Sequence, residues 1–231
     1  MKKGILFALA ALCVSVVQAV TIDWTTDSSK VEGGSTFVSG GFKDSDGNNV
    51  TVSGSFKIVM DFSASARPDG HANFIQLLQT NPDAKGELRF NLNGNNTNGA
   101  AEFGMYDGNG ANWYKPTENN NLFTNDRVIS DTQSNTLTLI FNYDEATSKY
   151  TGGTYAIKFA NGYEYNGVLG WPELDLPHGD NGFGEGGATW TTLKLASGVT
   201  MNSMSLTVVP EPTALALLAL GVAGLALRRK A

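Results

Sequence analysis

The segment Trp171-Pro172-Glu173-Leu174-Asp175-Leu176-Pro177-His178 brings two carboxylates and one of only 2 histidines into a short stretch. Paired carboxylates flanking a glycosidic bond are the machinery of sugar hydrolysis, one attacking or activating water while the other passes the proton. Pro172 and Pro177 work against such a site, because a proline cannot donate to a strand ladder. The plainer reading is an ordered Trp-Pro loop with solvated acids. His71, the other histidine, stands alone in sequence, so a histidine-rich metal site is excluded. A Ser-His-Asp relay would have to use His71 or His178, and neither lies in a recognisable nucleophile turn. The single cysteine, Cys13, sits in an apolar run near the amino terminus. The chain beyond it has no thiol for a disulfide, a nucleophile or a thiolate metal site.

Glu173-Leu174-Asp175 resembles the Glu-x-Asp-x-x-Glu strand of the laminarinase and lichenase type of glycoside hydrolase. The resemblance implies Glu173 as nucleophile, but His178 stands where that family places its second glutamate. The expectation is therefore a noncatalytic chain, with a degenerate glycoside hydrolase-like protein as the third reading. Asp44-Ser45-Asp46-Gly47-Asn48 has the opening spacing of a calcium loop. Asn49 replaces the glycine of the sharp turn, however, and Ser55 replaces the closing glutamate, so a hairpin turn is the better reading. No cofactor is expected. The acidic loops offer oxygen ligands of the kind calcium takes, without a definable set.

Binding chemistry is better represented. Trp113 and Tyr114 follow the Gly/Asn-rich Asp107-Gly108-Asn109-Gly110, and Trp171 lies in a Gly/Pro setting. An aromatic plane in a loop can stack on a sugar ring while nearby Asn, Asp and Gln supply hydrogen bonds. Trp24 and Trp190 fall in strand-like runs and are expected in the core.

These side chains need a scaffold, and the chain alternates apolar and polar residues repeatedly. Val50, Val52, Phe56, Ile58, Met60 and Phe62 predict one long half-buried strand with a bend at Gly54. Leu88, Phe90 and Leu92 form another, then Leu137, Leu139, Phe141 and Tyr143, then Tyr155, Ile157 and Phe159 after a turn over 145–149. Shorter strands are expected over 20–25, 72–79, 100–106, 163–169, 189–195 and 204–208. About ten or eleven strands with turns such as Asp46-Gly47-Asn48 and Ala160-Asn161-Gly162 call for two packed antiparallel sheets. Residues 20–209 read as one all-β domain, a two-sheet antiparallel sandwich.

The stretch Asn135 to Asp144, followed by Thr147 to Phe159 and Asn161-Gly162, resembles the paired strands of concanavalin A-like or laminin G-like jelly rolls. In those domains a strand ending near an aspartate turns into a second strand capped by an Asn-Gly turn. The resemblance implies a jelly-roll sandwich and leaves function open, because such sandwiches carry lectins, hydrolases and scaffolds alike.

The ends have another purpose. Lys2 and Lys3, the apolar stretch Gly4 to Val17, and Val17-Gln18-Ala19 before Val20 have the three parts of a secretory signal peptide over 1–19. Leu12 stands where lipid attachment at Cys13 would need a small residue. Over 210–231, Pro210-Glu211-Pro212 precedes the apolar run Thr213 to Leu227 and the basic end Arg228-Arg229-Lys230. This tail resembles the bacterial PEP-CTERM sorting signal, which implies an exosortase as processing partner. Fifteen residues of helix rise roughly 22 Å, short of the ~30 Å hydrocarbon core, so the tail is a marginal membrane anchor. The basic cluster favours the cytoplasmic side and puts the body outside the cytoplasm, destined for the cell surface or secretion. The prolines keep the junction extended and open to processing.

Between these ends, 11 basic residues face 21 acidic ones, a net charge of −10. Such a body repels a phosphate backbone, so nucleic acid is excluded as partner. The sequence thus points to an exported carbohydrate-binding sandwich with extracellular polysaccharide as partner. The alternative is a structural component of the envelope or extracellular matrix without a discrete ligand site.

Deleting Thr213 to Ala231 removes an anchor and no core strand. The truncated protein is expected to be mislocalised yet to keep a β-type circular dichroism spectrum and a cooperative melt. A molten or aggregated product under several expression conditions would show that the tail contributes to the fold.

Overall fold

The computed structural model describes residues 19–64, 71–79, 87–93, 101–106, 111–114, 134–147, 149–160, 162, 164–169 and 188–209. The first six strands are β1 (Val20–Glu32), β2 (Ser35–Phe42), β3 (Phe56–Ala64), β4 (His71–Gln79), β5 (Glu87–Asn93) and β6 (Ala101–Tyr106). Then come β7 (Ala111–Tyr114), β8 (Asn135–Asp144), β9 (Lys149–Lys158), β10 (Glu164–Leu169), β11 (Trp190–Leu195) and β12 (Val199–Val208). The pairing order is β10-β9-β8-β3-β12-β1-β2-β11-β4-β5-β6-β7, antiparallel throughout. The fold is all-β, as the alternation requires, with no helix among the described residues. Val20–Val209 forms one compact unit. The expected signal peptide and the helix over 213–227 lie outside the described residues.

β1 divides this order into two half-sheets. Its first residues, Val20 to Asp23, pair with β12, whereas Trp24 to Glu32 pair with β2. The first half-sheet therefore runs from β10 to β1 and the second from β1 to β7. Their apolar faces meet in one core. Phe56, Ile58, Met60 and Phe62 on β3, Leu137, Leu139 and Phe141 on β8, and Tyr155 and Ile157 on β9 come from the first; Phe42, Ile75, Leu77, Trp190 and Leu193 come from the second. Rings link the two halves. Trp24 meets Phe42 edge-on at 5.3 Å between centroids, Phe42 meets Trp190 at 6.1 Å, Trp190 meets Phe56 at 5.6 Å, and Phe56 stacks on Phe141 at 4.9 Å. Burying each of these side chains contributes roughly 1.5–3 kcal/mol.

The expected strand over Val50 to Phe62 is broken. β3 begins only at Phe56, while Val52 exchanges two 2.8 Å backbone hydrogen bonds with Ala188 and the Val50 N–H donates to the Phe42 carbonyl at 2.7 Å. Val50 is thus tied to the end of β2, in the second half-sheet, and the chain enters the first across Ser53 to Ser55. There the Ser55 hydroxyl accepts the Tyr143 N–H at 2.9 Å. Even-numbered alternation survives a crossing between layers, because both layers face the same core.

Two further corrections concern length. The first strand continues past Thr25 and turns back as β2 through Gly33 and Gly34, both at positive φ (54° and 82°), the geometry of a two-residue hairpin turn that glycine adopts without strain. β12 begins at Val199 rather than near Met204, after a turn at Gly198. With β7 added, the strands among the described residues number twelve.

Asn135 is fully buried beside these apolar rows. Its Nδ2 donates to the Phe62 carbonyl at 3.2 Å and its Oδ1 accepts the Ala160 N–H at 3.1 Å, which pins the ends of β3 and β9 to the start of β8. Asn135→Leu is expected to destabilise by about 2–4 kcal/mol, because it leaves the buried Phe62 carbonyl and the half-buried Ala160 N–H without these bonds. Asn202→Ala, which removes exposed hydrogen bonds to Asp61 and Ser134, should cost under about 0.5 kcal/mol. Equal costs in urea denaturation would contradict the role given to Asn135.

Candidate functional site

The second half-sheet has one face on the core and one turned away. Val38, Leu193, Leu77 and Leu88 lie in one register row on the core side. The neighbouring row lies on the opposite face. It runs Lys30, Phe37, Lys194, Gln76, Arg89, Gly104 and Trp113, one residue from each of seven strands. At about 4.8 Å between strands, six steps span roughly 29 Å. One rung along, Ser28, Ser39 and Thr192 form a row of hydroxyls on β1, β2 and β11.

The composition of the long row is not that of a merely solvated face. Phe37 is half-buried, but it is not among the hydrophobics packed on the core. The ammonium groups of Lys30 and Lys194 each lie 5.3 Å from its ring centroid. Each such contact is worth about 0.5–1 kcal/mol at an exposed site. Lys30 also pairs with Glu32 at 2.8 Å, whereas among the described residues Lys194 has no carboxylate within ion-pair distance. Gln76 is only 3% exposed although it lies on the face away from the core. The two ammonium groups and the ring offer donors and a stacking surface together, while the Gln76 amide is buried beneath that face.

The sequence-derived candidates are distributed unevenly over this frame. Trp113 and Tyr114 belong to strand β7 rather than to a loop, because Ala111 to Tyr114 complete a ladder with β6. That strand separates them. Trp113 takes a register position in the Phe37 row, whereas Tyr114, through Phe103 and Phe90, falls in the row of buried Ile75 and Leu195. Trp171, Glu173, Asp175 and His178 lie outside the described residues, as do Pro210, Glu211, Pro212, Arg228, Arg229 and Lys230. His71 opens β4 opposite Asn93. Asp44 closes a turn: its Oδ1 accepts the N–H groups of Asp46 and Asn48 at 3.0 and 2.9 Å, and Gly47 sits at φ 83°. No group of three or more His, Cys, Asp or Glu side chains placed to hold a metal occurs among the described residues. Sequence reasoning missed Phe37, Lys194 and Gln76. The Gly33-Gly34 pair was the available signal, since a hairpin there puts Phe37 opposite Lys30.

A second feature lies between the layers. Trp24, Thr26, Ser29, Thr36, Val38, Leu193 and Leu195 face Val199 to Met204 across a cleft of about 380 Å³. Here the β1–β2 hairpin runs on beyond the segment of β1 paired to β12. Trp24, expected in the core, is only half-buried, and its buried indole Nε1 has no hydrogen-bond partner. A Cβ added at Gly40 would lie 2.8 Å from that nitrogen, so glycine is what lets the indole edge close down on β2.

Known proteins bear first on the carboxyl end. Residues 208–230 match the PEP-CTERM protein-sorting motif. The PEP-CTERM signal implies export, processing by the membrane enzyme exosortase, and a final place on the surface or outside the cell. No curated protein matches the chain. Solved structures are similar only distantly. The carbohydrate recognition domain of Emp47p is 11% identical, with 79% of this chain and 87% of that chain covered at a TM-score of 0.39. The PL-14 alginate lyase from Aplysia kurodai is 12% identical, with coverage of 82% and 80% and a TM-score of 0.38. The receptor binding domain of botulinum neurotoxin type G is 11% identical, with coverage of 82% and 41% and a TM-score of 0.31. At these scores the likenesses carry no argument about function.

Trp24→Phe keeps an aromatic ring against Phe42 while deleting the unpaired buried donor. The variant is expected to be within about 1 kcal/mol of the parent or more stable, because an unsatisfied N–H is itself a cost. Trp190→Phe, in the middle of the ring chain, should lose more. A reversed order of melting temperatures would mean that the Trp24 indole N–H has a partner in solution.

Proposed function

We propose that this exported PEP-CTERM protein is a noncatalytic carbohydrate-binding module whose ligand lies across the outer face of the second half-sheet. The observation that carries this reading is the register row through Phe37, Lys194 and Gln76, with Arg89 and Trp113 at its further positions. An extended polysaccharide needs an extended surface, and Lys30, Phe37 and Lys194 stand side by side on three adjacent strands over roughly 10 Å, bounded by the buried Gln76. Phe37 offers a ring that the core does not claim, and the Ser28, Ser39 and Thr192 hydroxyls are placed to bond sugar hydroxyls. The row contains neither a pair of carboxylates nor a nucleophile, which favours binding over hydrolysis. An envelope or matrix component would use the same face to hold polysaccharide rather than to capture it for uptake.

A glycan array on the mature protein tests this directly. Phe37→Ala and Trp113→Ala are each expected to weaken binding by about 1–3 kcal/mol, by analogy with stacking on aromatic platforms, while the melting temperature stays nearly unchanged. Undiminished binding in both variants would remove the face from consideration. Release of reducing sugar from a β-glucan that Glu173→Gln abolishes would overturn the noncatalytic reading.

A further inference from the structure

The charge of the Phe37 row is opposite to that of the body around it. The body carries a net charge of −10, yet 3 of its 11 basic residues, Lys30, Lys194 and Arg89, fall in this one row. Glu32, paired to Lys30, is the carboxylate that the described residues supply to the two lysines. Among the described residues Lys194 has none within ion-pair distance, and Phe37 draws both ammonium groups to 5.3 Å from one ring, so two like charges are gathered beside one anion, whereas Arg89 has Glu87 and Glu102 on its own face by register. On the row taken as the binding face above, we infer that the ligand is an anionic polysaccharide, with its carboxylate or sulfate groups held by Lys194 and its neighbours.

The chemistry of the row favours that ligand over other polymers. Lysine and arginine are donors only, so a row built on them is matched by acceptor-rich groups better than by neutral hydroxyls, which must also donate. The hydroxyl rung and Phe37 beside the cations suit a chain whose charges are separated by sugar rings. A nucleic acid strand, with a charge every ~3.4 Å, would meet the acidic remainder of the body over most of its length. Export places the face among extracellular polymers. The ring also fixes the position of the charge, since an ammonium drawn to an aromatic face loses part of the freedom of a lysine stem.

The test uses the full mature protein and measures binding to polygalacturonate, the same polymer after carboxyl reduction, dextran sulfate and polyglutamate. The charged polysaccharides are expected to bind at least about tenfold more tightly than the reduced one, with affinity falling as salt is raised. Lys194→Gln should remove most of that preference and Lys194→Arg should keep it, whereas Lys158→Gln, on exposed β9, should change nothing. If Lys194→Gln fails to fold, Lys30→Gln carries the same expectation. Tighter binding of dextran sulfate than of polygalacturonate supports the inference and identifies sulfate as the group held. Equal binding of the reduced and the charged polymer overturns the inference but leaves carbohydrate binding standing. Binding to none of the polysaccharides removes both, and polyglutamate binding as tight as polygalacturonate overturns the polysaccharide assignment.

Discussion

Everything in the body hangs on one strand serving two layers. β1 leaves β12 at Asp23 and joins β2 at Trp24, so a single step of the chain carries the pairing from one half-sheet to the other. The ring chain from Trp24 through Phe42, Trp190 and Phe56 to Phe141 lies where the layers must be held together. Close packing explains why rings are used. A thick, rigid side chain fills the space between two sheets about 10 Å apart with little loss of rotamer freedom. The second crossing, between Val52 and Phe56, returns the chain to the first layer and closes the same region from the other side.

The crossing also settles which surfaces are available. One face of the second half-sheet is consumed by the core, and the hairpin that extends β1 and β2 widens the other. Phe37 therefore sits between Lys30 and Lys194 rather than beside the apolar residues that an isolated β2 would recruit. The cleft near Trp24 arises from the same extension, because the hairpin outruns the segment of β1 paired to β12. Its walls mix hydroxyls with leucine, valine and methionine, and the Trp24 indole nitrogen is the buried side-chain donor left unpaired among the described residues.

The core was legible in the sequence because alternation is a local signal. Met60 and Phe62 lie two apart with Asp61 between them, Leu137 and Leu139 with Thr138 between them, and each is buried as that spacing requires. The proposed binding face was not legible, because its members lie on seven different strands. Phe37 and Lys194 are separated by most of the body in sequence, and no spacing rule connects them. Only the pairing order β1-β2-β11-β4-β5-β6-β7 makes them neighbours, and that order requires β11 to be inserted between β2 and β4 from far along the chain. Trp113 was singled out for its glycine-rich surroundings, a setting that also begins a short edge strand. Val50 and Val52 show the reverse error, since alternation cannot reveal that a chain has changed layers.

The pairing of β12 has a mechanical consequence. Val208, the first residue of the sorting motif, lies in register between Val20 on one side and Phe56 on the other, and the next N–H, that of Val209, donates to the Ser55 carbonyl. Load applied at Val209 along the strand direction is therefore taken by a strand held on both flanks, whose ladder bonds resist together in shear instead of opening one after another.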